Sequence, residues 1–322
     1  MATAHVVRCY GLTQNPSNGH YMLVMGKMDM DLRKYLQQNH NQLTWRGRIK
    51  IINEIIGALR YIHKEKAIHR DLHSGNILYS QFNGRWFISD LGFCGPADKS
   101  STSIYGNLPY IAPEVIVGRE YTFASDIYSI AILMWEISSG QTPFINYEHE
   151  NDIVMNIING IRPKIVPGTP LEYKNLMKEC WDVDPLKRPD ADALDTKIRK
   201  ISLNNRNMSY ELFKSEIDNL EMNKVEENYT NSRLFTSKIH NFENLPKPRN
   251  ATEEEQEAFH SKFYNFNIPD NINNFNKSNK QNNNKSSKIV TIFRDDEKEI
   301  TQQQIKGKVL MSTVGENLRN NK

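Results

Sequence analysis

One stretch of this chain stands out by residue type and spacing. His69-Arg70-Asp71-Leu72-His73-Ser74-Gly75-Asn76 places a carboxylate, Asp71, five positions ahead of an amide, Asn76. A carboxylate can take up or orient the proton of an attacking hydroxyl. An amide oxygen is a hard donor that can ligate magnesium. Facing one phosphate together, the two suit transfer of a phosphoryl group, which needs positioning and charge neutralisation more than covalent help. The tripeptide His69-Arg70-Asp71 alone means little, because charged triplets are common on surfaces. The eight residues together, at the mouth of a predicted hairpin, are far more specific.

The elements that must position them can be read from periodicity. Val6–Tyr10 and Tyr21–Met25 are short apolar runs separated by the turn-rich Asn15–His20, and predict a strand pair. Leu32, Tyr35 and Leu36 give a short amphipathic helix. Thr44 caps a longer one, with Ile49, Ile52, Ile55, Ile56, Leu59 and Ile62 on its apolar face. Ile77–Tyr79 and Trp86–Ser89 read as a hairpin turning at Asn83-Gly84. An apolar helix follows over Ala124–Ser139, and amphipathic ones near 149–158, 171–181 and 190–201.

Near residue 203 the composition changes. Beyond it Asn, Lys, Glu and Ser dominate, and Asn271–Lys288 holds almost nothing that could form a core. Such a segment cannot bury enough apolar surface to offset its ordering entropy, so 204–322 reads as a largely disordered tail. Tyr210–Val225, with helical apolar spacing, and Glu253–Tyr264 are the exceptions. The 41 basic and 38 acidic residues nearly balance, which gives no electrostatic reason to expect a nucleic-acid or membrane partner. The three cysteines, Cys9, Cys94 and Cys180, lie far apart, so a disulfide framework or zinc site is not expected. The N-terminus lacks a secretory pattern and no apolar stretch is long enough to span a bilayer. The expected location is the cytoplasm, with the nucleus as the other intracellular site.

Further markers follow in order: Asp90-Leu91-Gly92 after the second hairpin strand, Ala112-Pro113-Glu114, Asp126 in an apolar helix, and Arg188. With the His69–Asn76 loop they resemble the H-R-D-x-x-x-x-N, D-F-G and A-P-E signatures of the eukaryotic protein kinase family. The group most similar is the tyrosine-kinase-like serine/threonine kinases, over roughly residues 5–203. The resemblance implies an α+β protein-kinase-like fold, mainly the α-helical large lobe with a remnant of the β small lobe. It divides the chain into 1–30 (small-lobe remnant and hinge), 31–203 (large lobe) and 204–322 (tail). It implies ATP and Mg²⁺ as cofactors and a protein as phosphoryl acceptor. Asp71 would orient the hydroxyl; Asn76 and Asp90 would hold Mg²⁺. Gly26 and Met28 on the hinge, Asp31 at the ribose and Leu78 under the adenine would hold the nucleotide, although Asp31 reads equally as a helix cap. Glu114 and Arg188 would form a structural ion pair, and Asp126 would anchor the backbone around His69 and Arg70. Phe93–Ile111 would be the activation loop, whose Ser100, Ser101, Thr102, Ser103 and Tyr105 are phosphorylation candidates that could pair with Arg70. Two departures bear on acceptor choice. His73 stands where a phosphate-contacting lysine is usual, and a histidine is a weaker, pH-dependent cation. Asn107 stands where a threonine usually contacts the catalytic aspartate.

The 322 residues contain no G-x-G-x-x-G loop and no V-A-I-K lysine, which places the chain among N-terminally truncated kinases lacking most of the small lobe. Two function classes follow. One is a phosphotransferase acting on protein Ser or Thr, with Tyr as the other acceptor; for the chain as given, Mg-ATP binding is expected to be weak and transfer slow or absent. The alternative is a pseudokinase or half-kinase that engages a partner protein through its helical lobe without catalysis.

Overall fold

The computed structural model describes residues 6–93, 95–96, 104–204 and 236–262. They fall into two units, residues 9–27 and residues 6–8 with 28–262. The smaller unit is an antiparallel hairpin of β1 (Cys9–Gln14) and β2 (Tyr21–Met25), with Leu12 opposite Leu23. Its turn closes where the Asn15 carbonyl accepts the Gly19 N–H. Gly19 sits at φ +71, a left-handed backbone that glycine adopts without a Cβ penalty. Tyr10, Leu12, Tyr21 and Leu23 are exposed along it.

The first strand begins at Cys9, later than the apolar pattern predicts. Val6 and Val7 serve the larger unit instead. Val7 is buried there, and its N–H donates to the Ile88 carbonyl at 2.9 Å.

The larger unit runs β3 (Met30–Asp31), α1 (Leu32–Asn39), α2 (Trp45–Lys64), β4 (Ala67–Ile68), β5 (Ile77–Ser80) and β6 (Arg85–Ile88). It continues with β7 (Gly95–Pro96), β8 (Ile104–Gly106), α3 (Pro113–Ile116), α4 (Phe123–Ser139), α5 (Glu150–Ile158), α6 (Leu171–Cys180) and α7 (Ala191–Asn204). Last come β9 (Lys238–His240) and α8 (Glu253–Lys262). Thr44 caps α2 by accepting the Gly47 N–H. The apolar face of α2 lies on α4, α7 and β6. α4 is buried on every side, Ile127 through Ile137, as a helix apolar on nearly every face must be to leave water, with Ser129 and Glu136 its polar members there. This unit carries the expected helical body.

Two further features differ from the sequence expectation. The hairpin β5–β6 gains a third strand, because β3 pairs with β5 and sets Asp31 opposite Leu78. Residues 236–252, read by composition as solvated tail, form an ordered strap leading into α8. The reason is that the strap draws its hydrogen bonds from backbone already in place. β9 pairs antiparallel with β8, the Arg249 N–H donates to the Ile158 carbonyl at 3.0 Å, and Phe242 and Leu245 pack on the core. Expectations for Cys94, for 97–103 and for Tyr210–Val225 lie outside the described residues.

Candidate active site

The loop from His69 to Asn76 has little regular structure, so its backbone needs partners elsewhere. Asp126, in the first turn of α4, supplies them. One carboxylate oxygen accepts the His69 N–H at 2.8 Å and the other accepts the Arg70 N–H at 3.0 Å. His63 Nε2 lies 2.9 Å from the same carboxylate. Asp126 is buried, and these contacts compensate its charge there. Arg70 takes φ +71, which turns the chain sharply just before Asp71. His69 is fully buried; its Nδ1 accepts the Asp71 N–H at 3.3 Å, leaving Nε2–H to reach the Ser89 carbonyl at 3.0 Å. Burial pushes its imidazole below the ordinary range, against the pull of Asp126 and the Ser89 carbonyl.

The Asp71 carboxylate is buried but richly solvated by protein. Its Oδ1 accepts the Asn107 N–H at 3.3 Å and the Ser237 hydroxyl at 2.9 Å. Asn76 Nδ2 donates to the Asp71 carbonyl at 2.9 Å and reaches Oδ2 at 3.4 Å. His73 Nε2 stands 3.7 Å from Oδ2. Burial alone would raise this carboxyl; the contacts from His73, Ser237 and His69 outweigh it and hold it below the usual value. Asp71 is thus an ionised base at neutral pH, with hydrogen-bond donors around it.

Asn76 has its amide nitrogen committed to Asp71, which turns its oxygen the other way. The Ser89 N–H and hydroxyl both donate to the Asn76 carbonyl, at 2.9 and 3.0 Å, tying β6 to the loop. Asp90 follows directly, exposed, at φ +59, a left-handed conformation that Asp tolerates better than most residues. An exposed carboxylate one residue beyond the tether to Asn76, with an amide oxygen, is a hard-oxygen donor set of the kind magnesium takes.

Of the remaining sequence candidates, all but Asn107 lie apart from this cluster of bonds. Asp31 accepts the Lys34 N–H at 2.8 Å and caps α1, and its pairing with Leu78 brings those two residues together. Met28 lies half-buried just before β3, whereas Gly26 belongs to the hairpin unit. Glu114 and Arg188 meet in a buried bidentate pair at 2.7 and 2.8 Å, and Arg188 also donates to the Ala124 and Asp182 carbonyls. Asn107 reaches Asp71 through its backbone N–H.

Sequence reasoning missed three participants. Tyr110 donates to Glu136 and stands 3.3 Å from Ser74 Oγ, supporting the loop from beneath. The third is Ser237, which no motif marks, in a polar segment far along the chain.

A family model for protein tyrosine and serine/threonine kinase matches residues 1–198. This chain belongs to the protein tyrosine and serine/threonine kinase family. Among kinases, it is 34% identical over 184 residues to the Dual serine/threonine and tyrosine protein kinase of Mus musculus, covering 56% of this chain and 19% of that one. The protein of the same name from Homo sapiens is 35% identical over 172 residues, covering 52% and 18% respectively. The chain thus spans about a fifth of the length of the curated kinases it matches. The family match over residues 1–198 includes the 69–76 loop, the Asp90 segment and the Glu114–Arg188 pair. The strap that carries Ser237 lies beyond the kinase family match.

Proposed function

We propose that residues 28–262 provide the acceptor-binding and metal-binding half of a protein kinase, moving the γ-phosphoryl group of ATP to a protein hydroxyl. The observation that carries this reading is the Asp71 carboxylate, buried yet held ionised, cross-bonded to Asn76 and tethered through Ser89 to Asp90. Asp71 receives the hydroxyl proton. Asn76 and Asp90 are the residues that would hold magnesium, which when bound supplies positive charge at the phosphates. His73, with Nδ1 accepting the Gly75 N–H at 3.1 Å, presents Nε2–H beside Asp71 as a donor to the acceptor oxygen or the phosphate. Serine and threonine are the acceptors of this reading, with tyrosine as the other. Such a reaction belongs in the cytoplasm or nucleus, where ATP and protein acceptors meet; among the described residues no helix is long and apolar enough to cross a membrane.

Residues 1–322 hold no glycine-rich loop or strand lysine to cover the phosphates, so the test supplies them. The chain placed behind a complete small lobe from a related kinase should transfer radiolabel from ATP to a serine peptide. Asp71→Asn and Asp90→Asn should each reduce that transfer by about a hundredfold or more, a loss typical of removing an acid–base or charge-stabilising group. A folded chimera that binds ATP and transfers nothing would sink the catalytic reading and leave a binding scaffold.

A further inference from the structure

The strap ends where a substrate would begin. Ser237 Oγ lies 2.9 Å from Asp71 Oδ1 and 3.1 Å from His73 Nε2. Because His73 Nδ1 already accepts the Gly75 N–H, its ring proton is on Nε2 and points to the Ser237 oxygen. The Ser237 proton is therefore directed at Asp71, and one oxygen lone pair remains for attack. Thr236, the neighbouring hydroxyl residue, is exposed, whereas Ser237 is half-buried.

The following residues hold Ser237 in register. β9 adds to β8 with His240 opposite Ile104, Ile239 opposite Tyr105 and Lys238 opposite Gly106. This is recognition by strand addition, in which main-chain bonds hold the peptide and alternate side chains fill pockets. His240 is the buried one: its Nε2 donates to the Gly106 carbonyl at 2.9 Å, its Nδ1 is 3.6 Å from Glu150, and Phe242 stacks on its ring. Lys238 pairs with the same Glu150. Further along, the strap passes so close to Gly160 that a Cβ there would sit 2.2 Å from the Ala251 nitrogen.

We propose that Ser237 is an acceptor of the chain's own phosphoryl transfer, seated in cis by the 236–262 strap, which blocks other peptides until it is modified. The inference rests on the phosphotransfer reading above. In the step, a bond forms between Ser237 Oγ and the γ-phosphorus of ATP, the bond from that phosphorus to the ADP oxygen breaks, and the hydroxyl proton passes to Asp71. The product places a phosphate of charge about −1.5 to −2 beside the Asp71 carboxylate. Repulsion between the two expels the strand, and the groove opens to other acceptors.

The test uses the full chain behind its complementing small lobe, with radiolabelled ATP and, as outside acceptor, a synthetic peptide of residues 233–241. Label should appear on Ser237 and not Thr236, at a first-order rate independent of protein concentration, and Ser237→Ala should abolish it. His240→Asp, which sets a carboxylate against Glu150, should loosen the strap and raise early phosphorylation of the peptide roughly tenfold if the seated state is about 90% populated. In the chain alone, the amides of Ile104, Gly106, Lys238 and His240 should resist hydrogen exchange, since Tyr105 turns its own N–H to Tyr121, and His240→Asp should remove that protection. Transfer to the peptide with none to Ser237, concentration-dependent labelling, or unprotected amides in the parent would each overturn the proposal. Absence of transfer to any acceptor would instead be failure of the phosphotransfer reading.

Discussion

The loop around Asp71 and the strap around Ser237 meet at one carboxylate but are held there in opposite ways. The loop hangs from side chains. Asp126 takes two of its N–H groups, and Asn76 and His69 close it on itself. The strap hangs mostly on main-chain groups of the body it crosses: β8, the Ile158 carbonyl, the Gly106, Gly160 and Val183 backbone groups that His240, Gln256 and Asn250 reach, and the gap over Gly160 that the absence of a side chain leaves open. A loop fixed by buried side chains is rigid and costly to alter, as a catalytic base requires. A strap fixed by exchangeable backbone contacts at a sheet edge can leave and return. The difference fits one part that performs a reaction and another that is used up by it.

The largest expected break lies on the loop side. Asp126→Ala would leave two buried N–H groups without partners, a cost of about 2–6 kcal/mol at roughly 1–3 kcal/mol each. Urea unfolding should show that loss, and hydrogen exchange should place it at residues 69–71. A variant as stable as the parent would mean that water or a shifted loop replaces Asp126, and the contrast with the strap would collapse.

The same contrast explains what could be read from the sequence. Asp71, Asn76, Asp126, Glu114 and Arg188 act through their own side chains, so residue type and spacing announce them. The same is true of Thr44 at the start of α2 and of the apolar face behind it. β3 was missed because two residues are too few to carry a period. The strap was missed because pairing with β8 asks nothing of residue identity beyond an extended backbone. Its few apolar anchors, such as Phe242 and Leu245, sit among polar residues and do not repeat with any helical or strand spacing. Asn107 shows the limit in one residue. Its side chain departs from the pattern of the family, yet its backbone N–H still reaches Asp71.

On the strap side, Gly160→Ala is the sharper probe, because it touches neither Asp71 nor Ser237. Gly160 sits at φ +80, and an added Cβ would fall 2.5 Å from the Arg249 carbonyl oxygen. The left-handed backbone alone costs a non-glycine residue roughly 1–2 kcal/mol. The clash with backbone cannot be relieved by turning a side chain, so the strap must move. Exchange protection should drop at residues 249–262, while α4 and the 69–76 loop keep theirs. Unchanged protection over 249–262 would show that the strap does not depend on that close passage.

The smallest effect is one of pH, and its sign follows from His240. In the seated strap, burial is the largest influence on this imidazole and lowers it below its ordinary 6.5. The Gly106 carbonyl and Glu150 pull it upward, Lys238 pushes it down, and burial prevails. The released strap regains the ordinary value and binds more protons in acid. Seating is therefore fullest above about pH 6.5 and weakens as the pH falls through the lowered value of the seated form. Binding of a labelled 233–241 peptide carrying His240→Gln to the full chain should rise on acidification from pH 7.5 to 5.5, as the groove empties of its own strand. The substitution removes the peptide's own titration, and His240→Gln in the chain should flatten the response. Tighter seating in acid would mean that the charge of Glu150 outweighs burial, and would reverse the order of those two forces at the edge of the site.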